Sequence, residues 1–236
     1  MTRNRTLPAL HLAIAIALAS IFILSSTEQK VDASVSNAST DATAANHCAC
    51  THNALQKKDV TAWGVRGYIS WTNPNLNNGT ASYHRVGIVQ NSPWRFVEFG
   101  WVKTVLFGNC AWNSTFCGLV SYDNGSGGQN VPISGLTQAL HRYSMQYDPN
   151  TNKYWFYVDG ANIYNINANF SSGNFVVGGG EVSNGVEQMN GTMLSDLRYI
   201  ASLGGSYVSW NGHTNYVVEA PYFNTNISSN SFSDNP

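Results

Sequence analysis

Charge is what this chain has least of. Of 236 residues only 11% are charged, 12 basic against 13 acidic, for a formal net charge of −1. So few ions cannot build the basic stripe that holds a phosphate backbone, so no nucleic-acid partner is expected. Also scarce are the Lys, Arg and Glu that fill exposed helix faces, and no long helical pattern occurs. A Gly-rich phosphate loop, a Gly-x-Ser-x-Gly elbow and a His-Glu-x-x-His pair are all missing, so phosphoryl transfer, serine hydrolysis and zincin chemistry lose their usual support. Long apolar runs are missing too, apart from one at the start, Leu12 to Leu24. It follows Arg3 and Arg5, precedes Ser25-Ser26-Thr27, and falls short of the ~20 residues of a membrane-spanning helix. That layout is a secretory signal over residues 1–26, placing the mature chain outside the cell, without a membrane tie once the signal is removed.

Cysteine is limited to Cys48, Cys50, Cys110 and Cys117. An even number in an exported chain reads as disulfides, and Cys110 and Cys117, bracketing a short loop, are the natural pair. His47-Cys-Ala-Cys-Thr-His52 crowds four possible metal ligands into six residues. That is poor geometry for one tetrahedral site, so a disulfide is expected there, with no metal and no other cofactor.

What is abundant is Gly, Asn, Ser, Thr and aromatics. Residues 27–59 begin with a stretch that has almost nothing to bury and are expected to form a flexible leader. From residue 60 to 226 short alternating runs are separated by Gly, Asn, Pro and Asp: Arg66–Trp71, Ser82–Gln90, Arg95–Lys103, His141–Tyr147, Lys153–Val158, Asn174–Val182, Leu197–Ala201 and Tyr216–Glu219. This spacing predicts one all-β domain, an antiparallel sandwich or barrel, expected to be a monomer. Asp159-Gly160 predicts a two-residue hairpin turn after Tyr154–Val158, and Asp148–Asn152 another turn before it. Thr137–Tyr143 has room for one or two helical turns, and residues 227–236 are expected to be a loose tail. Asn37, Asn78, Asn113, Asn124, Asn169, Asn190 and Asn226 fit the glycosylation sequon. His84, His141 and His213 read as ordinary strand or loop residues.

Two glutamates stand where strand physics would place something else. In Phe96-Val-Glu-Phe-Gly-Trp101 the period of two puts Val97, Phe99 and Trp101 on one face and Phe96, Glu98 and Gly100 on the other. Glu98 therefore has apolar surroundings on both faces, which raises the pKa of a carboxyl that lacks partners. Glu181 closes Phe175-Val-Val-Gly-Gly-Gly-Glu-Val182, where consecutive glycines mark a bulge or the close approach of a backbone or ligand. Each is also readable as a carboxylate satisfied by backbone N–H groups, as is Glu219 in another apolar run.

Four segments in order, Glu98-Phe-Gly-Trp101, Cys110 to Cys117 with Gly118-Leu-Val120, Gly179-Gly-Glu-Val182 and Gln188-Met-Asn-Gly191, resemble the neprosin family of secreted glutamic peptidases over about residues 64–201. The resemblance implies a jelly-roll or concanavalin-like β-sandwich with a cleft on its concave face. It implies Glu98 and Glu181 as catalytic pair, a polypeptide substrate, no metal and activity in acid. Gln188 is then a candidate oxyanion donor, with Gly179 and Gly180 beside the substrate. Trp101 is either cleft wall or core. The family cleaves after proline, but no residue here defines a proline pocket. Departures from its pattern are Gly178, where the family often has tryptophan, Asn190-Gly191 in place of Gly-Ser, and the lack of a long activation domain before the core. Two other classes compete: a carbohydrate-binding or glycoside-hydrolysing sandwich, suited by the aromatic residues and a glutamate pair, and an inert surface protein.

Overall fold

A computed structural model describes residues 51–76, 81–104, 116–183 and 188–236. The strands in chain order are β1 (Thr51–Ala62), β2 (Gly64–Ile69), β3 (Ala81–Asn91), β4 (Trp94–Thr104), β5 (Phe116–Asp123), β6 (Gly128–Ile133), β7 (His141–Asp148) and β8 (Lys153–Val158). They continue as β9 (Ala161–Ile166), β10 (Gly173–Ser183), β11 (Thr192–Ile200), β12 (Tyr207–Ser209), β13 (Thr214–Val218), β14 (Phe223–Ser228) and β15 (Ser231–Asn235). Two sheets form, ordered β13-β1-β10-β3-β4-β5-β6 and β14-β15-β11-β2-β7-β8-β9, with β12 pairing on β11. All pairings are antiparallel, and the architecture is an all-β sandwich.

Alternation places the core. On β8, Tyr154, Phe156 and Val158 are buried while Lys153, Trp155 and Tyr157 are half-buried. β2 and β11 bury Val65, Ile69, Leu194 and Leu197 from the same sheet, and β4 answers from the other with Val97, Phe99 and Trp101. β3 departs from the pattern, being buried without interruption from Ala81 to Val89. A strand covered on both faces reads as a continuous apolar run, and its outward side chains are shielded as well.

The hairpin at Asp159-Gly160 has the expected geometry: Val158 pairs with Ala161, and Asp159 and Gly160 have φ of 52° and 91°, the two positive values of a type I′ turn. Elsewhere the expectations need correction. Thr51–Ala62 is already strand, so a flexible leader does not extend to residue 59. β1 is polar in composition but exchanges a ladder with β10 from Thr51↔Ser183 onward and another with β13, and backbone pairing overrides its weak side-chain pattern. Thr137–Tyr143 holds no helix; β7 already begins at His141. Residues 227–236 are no loose tail, because β15 pairs with both β11 and β14 and buries Phe232 completely.

Truncation of a fully buried phenylalanine costs about 3–5 kcal/mol. Phe232→Ala is therefore expected to lower the urea midpoint by that equivalent; a midpoint within error of the wild type would show that the C-terminal strand does not contribute to the core.

Candidate functional site

The site is built on three neighbouring strands, with β3 between β10 and β4. Directly opposed residues of an antiparallel pair share a face, so the outer face carries three rows: Glu181 opposite Tyr83 and Val102, Gly179 opposite Arg85 and Gly100, and Val177 opposite Gly87 and Glu98, with Ser121 of β5 beyond. The two glutamates thus lie on opposite diagonals of Arg85, one from each flanking strand. Arg85 bridges them: its Nε lies 2.8 Å from Oε2 of Glu98 and its Nη2 lies 2.8 Å from Oε2 of Glu181. The side chains of Arg85, Glu98 and Glu181 are 5%, 13% and 17% exposed.

Glycines make this possible. A Cβ at Gly87 would lie 2.8 Å from Cγ of Glu98, so the Glu98 side chain occupies the space that any other residue would fill. Gly179 has φ of +137°, and a Cβ there would lie 2.2 Å from the carbonyl oxygen of Ala54. The Arg85 guanidinium rests 5.0 Å from the ring centroid of Tyr83, whose hydroxyl donates to the Leu119 carbonyl at 3.3 Å. Beside this polar group the same face bears an apolar floor of Leu55, Val89, Phe175 and Val177, flanked by Phe96 and Tyr216.

The electrostatics follow from burial. Burial pushes the Glu98 carboxyl up and the charge of Glu181 pushes it further, while Arg85 pulls it down; the net direction is upward. Tyr83 is raised well above its ordinary value, first by burial and then by Glu98. Burial alone would lower Arg85, but the two carboxylates hold it above its ordinary value. The two contacts are ion pairs of equal length, and Nη1 of Arg85 has no hydrogen-bond partner.

Of the other expected site residues, Gly179 lies on this face beside Arg85. Trp101 and Gly180 do not. Trp101 is fully buried against the second sheet, donating its Nε1–H to the Ser70 carbonyl at 3.0 Å. A Cβ on Gly180 would lie 2.8 Å from both the His84 ring and the sulfur of Met189. Both belong to the inner face, because the strand period sends alternate residues inward. Gln188 is exposed, next to Met189 and Asn190, whose N–H groups donate to the Pro236 carbonyl; its side chain makes no hydrogen bond to the glutamates. Glu219 is satisfied locally, accepting from the N–H and side-chain amide of Asn53. Cys117 is disulfide-bonded; Cys48, Cys50 and Cys110 lie outside the described residues. Among the described residues no group of three or more His, Cys, Asp or Glu could hold a metal.

Sequence reasoning passed over Arg85, although the signal was of the kind that marked Glu98: a charge inside Tyr83-His-Arg-Val-Gly-Ile-Val89. It also passed over a second polar group directly behind the site. His84, on the inner face, is fully buried, its Nδ1 3.0 Å from Oδ2 of Asp234 and its Nε2 3.2 Å from the Ser82 hydroxyl. Asn224 donates to the other Asp234 oxygen at 2.7 Å. The atoms follow a Ser-His-Asp order, but Ser82, His84 and Asp234 are all 0% exposed. No substrate reaches them, and the group is structural. His84 is thus a strand residue, as expected, and a fully buried one.

Two hollows lie elsewhere, one of about 420 Å³ lined by Trp63, Gln146, Tyr147, Asn150 and Ile200, one of about 180 Å³ lined by Arg66, Arg142, Ser144, Tyr157 and Tyr207. Neither contains a pair of carboxylates.

Two structures of scytalido-glutamic peptidase, one with a peptide-based transition state analogue and one with a transition state analogue inhibitor, match this fold at TM-scores of 0.52 and 0.50. Identities are 11% and 10%, and each match covers 78% of this chain and 97% of the other. At such identity the likeness shows the fold alone, a β-sandwich shared with a glutamic peptidase. A Bacillus licheniformis β-glucanase matches more loosely, at a TM-score of 0.37 and 15% identity over 56% of this chain and 59% of its own. No protein-family model and no curated protein matches the chain.

The buried pair gives a pH signature. Burial lowers His84 to about 3, with Arg85 adding to the effect, and burial raises Asp234 well above its ordinary value. The folded pair therefore holds one proton over a wide range. The unfolded chain binds two below about pH 4, one up to about 6.5 and none above. Stability gains with pH where the unfolded state holds more protons and falls where it holds fewer. The contribution of the pair is then greatest between about pH 4 and 6.5 and declines on both sides. Asp234→Asn mimics the protonated acid and is expected to abolish the decline above about pH 6.5 in denaturant melts; persistence of that decline would place its origin elsewhere.

Proposed function

We propose that this chain is a secreted, metal-independent glutamic endopeptidase that hydrolyses peptide bonds in acid through Glu98 and Glu181. One observation carries the reading: two shielded carboxylates, from the two strands that flank β3 on one sheet face, converge on a single guanidinium at 2.8 Å each. The fold shared with a glutamic peptidase supports it. The apolar floor beside the pair suits side chains of an extended polypeptide.

The chemistry needs one carboxyl protonated and the other ionised, a state that neighbouring carboxyls favour because the first proton lost raises the affinity for the second. The ionised carboxylate takes a proton from water, and the oxygen adds to the peptide carbonyl carbon. The protonated carboxyl gives its proton to the carbonyl oxygen, leaving a neutral gem-diol. In collapse the first carboxyl returns its proton to the amide nitrogen and the C–N bond breaks. The second recovers a proton from one hydroxyl, so both carboxyls end as they began. Activity should be lost as pH rises through the raised pKa of Glu98, since no acid then remains.

The purified mature chain is expected to cut an unfolded protein in the acidic part of a scan from about pH 3 to 8, with or without a chelator. Glu98→Gln and Glu181→Gln should fold but cleave about 10²- to 10⁴-fold more slowly. A folded wild-type chain that cuts nothing at any pH would end this reading.

A further inference from the structure

The eight-stranded sheet has an outer face of its own, and its middle carries a surplus of positive charge. Register places Arg198, Arg66, Ser144 and Tyr157 in one row across β11, β2, β7 and β8. Tyr68 and Arg142 form the next row on β2 and β7, and Gln146 lies in the row on the other side, opposite Gly64. The period of two sends Arg66, Arg142, Ser144, Gln146 and Tyr157 to the same side, where with Tyr207 of β12 they line the hollow of about 180 Å³. We propose that this hollow is a binding site for a sugar acid, Arg66 and Arg142 taking its carboxylate and Gln146 and Tyr157 its hydroxyls. It lies on the sheet that does not bear Glu98 and Glu181, so its occupation is independent of peptide cleavage.

The charge here is unbalanced. Two guanidiniums line the hollow and no carboxylate does. The two nearby aspartates are both engaged. Asp196 lies 2.7 Å from Nε of Arg198 and 3.5 Å from Nη2 of Arg66, so one carboxylate serves two arginines. Asp159 accepts from the backbone N–H of Arg142 at 2.8 Å and lies 2.6 Å from Nδ1 of His141. Among the described residues the Arg142 guanidinium, the Gln146 amide and the Tyr157 hydroxyl make no hydrogen bond, and Nε of Arg66 is buried without a partner. A buried donor left unpaired is a rarity in folded proteins, and an anionic ligand supplies the acceptor it lacks.

The arginines are held before any ligand arrives. The Arg66 guanidinium stacks 4.8 Å from the Tyr207 ring centroid, and Tyr207 is anchored in turn by its hydroxyl, which donates to the Met145 carbonyl at 3.2 Å. Arg142 reaches the Asp159-Gly160 turn, where a Cβ on Gly160 would lie 3.3 Å from its Nη2. A planar fork fixed in this way matches the two oxygens of a carboxylate. The body of the ligand follows from the rest of the lining, which is phenol, hydroxyl and amide with no aliphatic side chain. An apolar peptide or lipid group needs apolar walls, whereas ring hydroxyls are met by an amide and a phenol. The hollow is also smaller than the ~300 Å³ at which drug-sized pockets begin, which suits a single acidic ring rather than a cofactor. Gln146 borders the larger hollow as well, beside Trp63 and Asn150, so a longer glycan has a path beyond the first ring.

The test is calorimetric titration of the mature chain at low salt with a disaccharide containing glucuronic acid. Three further probes run beside it: the neutral disaccharide with a primary alcohol in place of the carboxylate, inorganic sulfate, and a short peptide with a free C-terminal carboxylate. The acidic disaccharide should bind, and each of the other three should bind at least about tenfold more weakly, the least that losing one charge-assisted hydrogen bond or the hydroxyl contacts would produce. Arg66→Gln and Arg142→Gln should each weaken the acidic sugar by about 10- to 100-fold, and added salt should weaken its binding to wild type. Tyr157→Phe should weaken the acidic sugar and leave sulfate unchanged. The proposal is overturned if the acidic disaccharide does not bind, if the neutral one binds as well, or if the arginine variants bind like wild type. Sulfate or the peptide binding as tightly as the sugar acid also overturns it, since the hollow would then take any anion. Should Arg66→Gln fail to fold once Tyr207 loses its stacked partner, Arg142→Gln and Tyr157→Phe still decide. Cleavage does not enter the readout, so a chain that binds the sugar acid but cuts nothing refutes the peptidase reading alone.

Discussion

Two carboxylates and a guanidinium, each less than one-fifth exposed, stand together on the outer face of the seven-stranded sheet. None could stay there without the others: an unpaired buried carboxylate or guanidinium is among the most costly groups a fold can carry. Much of the surrounding sequence answers to that constraint. Gly87 and Gly179 clear the space, Tyr83 lies beneath the guanidinium, and β3 is covered on both faces. Truncating Arg85 leaves two like charges facing each other, so the balance of charge on this sheet face is carried by one side chain.

The second buried group, His84 with Asp234, lies on the other side of the same strand. β3 therefore carries a cationic group outward at Arg85 and a neutralised acid–base pair inward at His84, one residue apart. Their proximity is electrical as well as spatial, since the Arg85 charge contributes to keeping His84 neutral. The inward pair ties β15 to β3 across the sandwich, and with Asn224 it ties β14 in as well. A polar cross-link of this kind fixes how the two sheets meet at a place where Gly178 and Gly180 supply no side chain of their own.

What could be read in the chain depended on whether a signal was local. The central strands were legible because each alternates apolar and polar residues or runs apolar between turn formers, as Lys153–Val158 does. β1, β5, β6, β12 and β14 were not, and for three of them the reason is visible in their composition. β1 is held by backbone ladders to two neighbours, β6 is an edge strand containing Pro132, and β14 is a largely exposed Asn- and Thr-rich strand. β15 was missed because Phe232 is one large apolar residue in a polar stretch, and only its docking makes it core.

The sequence by itself determined the β class, the Asp159-Gly160 hairpin and the oddity of Glu98 and Glu181, because a period of two and positive-φ turn chemistry are properties of a few adjacent residues. Only the tertiary structure decided that Trp101 and Gly180 face inward, that Arg85 lies between the glutamates, and that His84 meets Asp234. Those contacts join residues as far as 150 positions apart, and the register that aligns them is set by pairing between strands, which no single strand encodes.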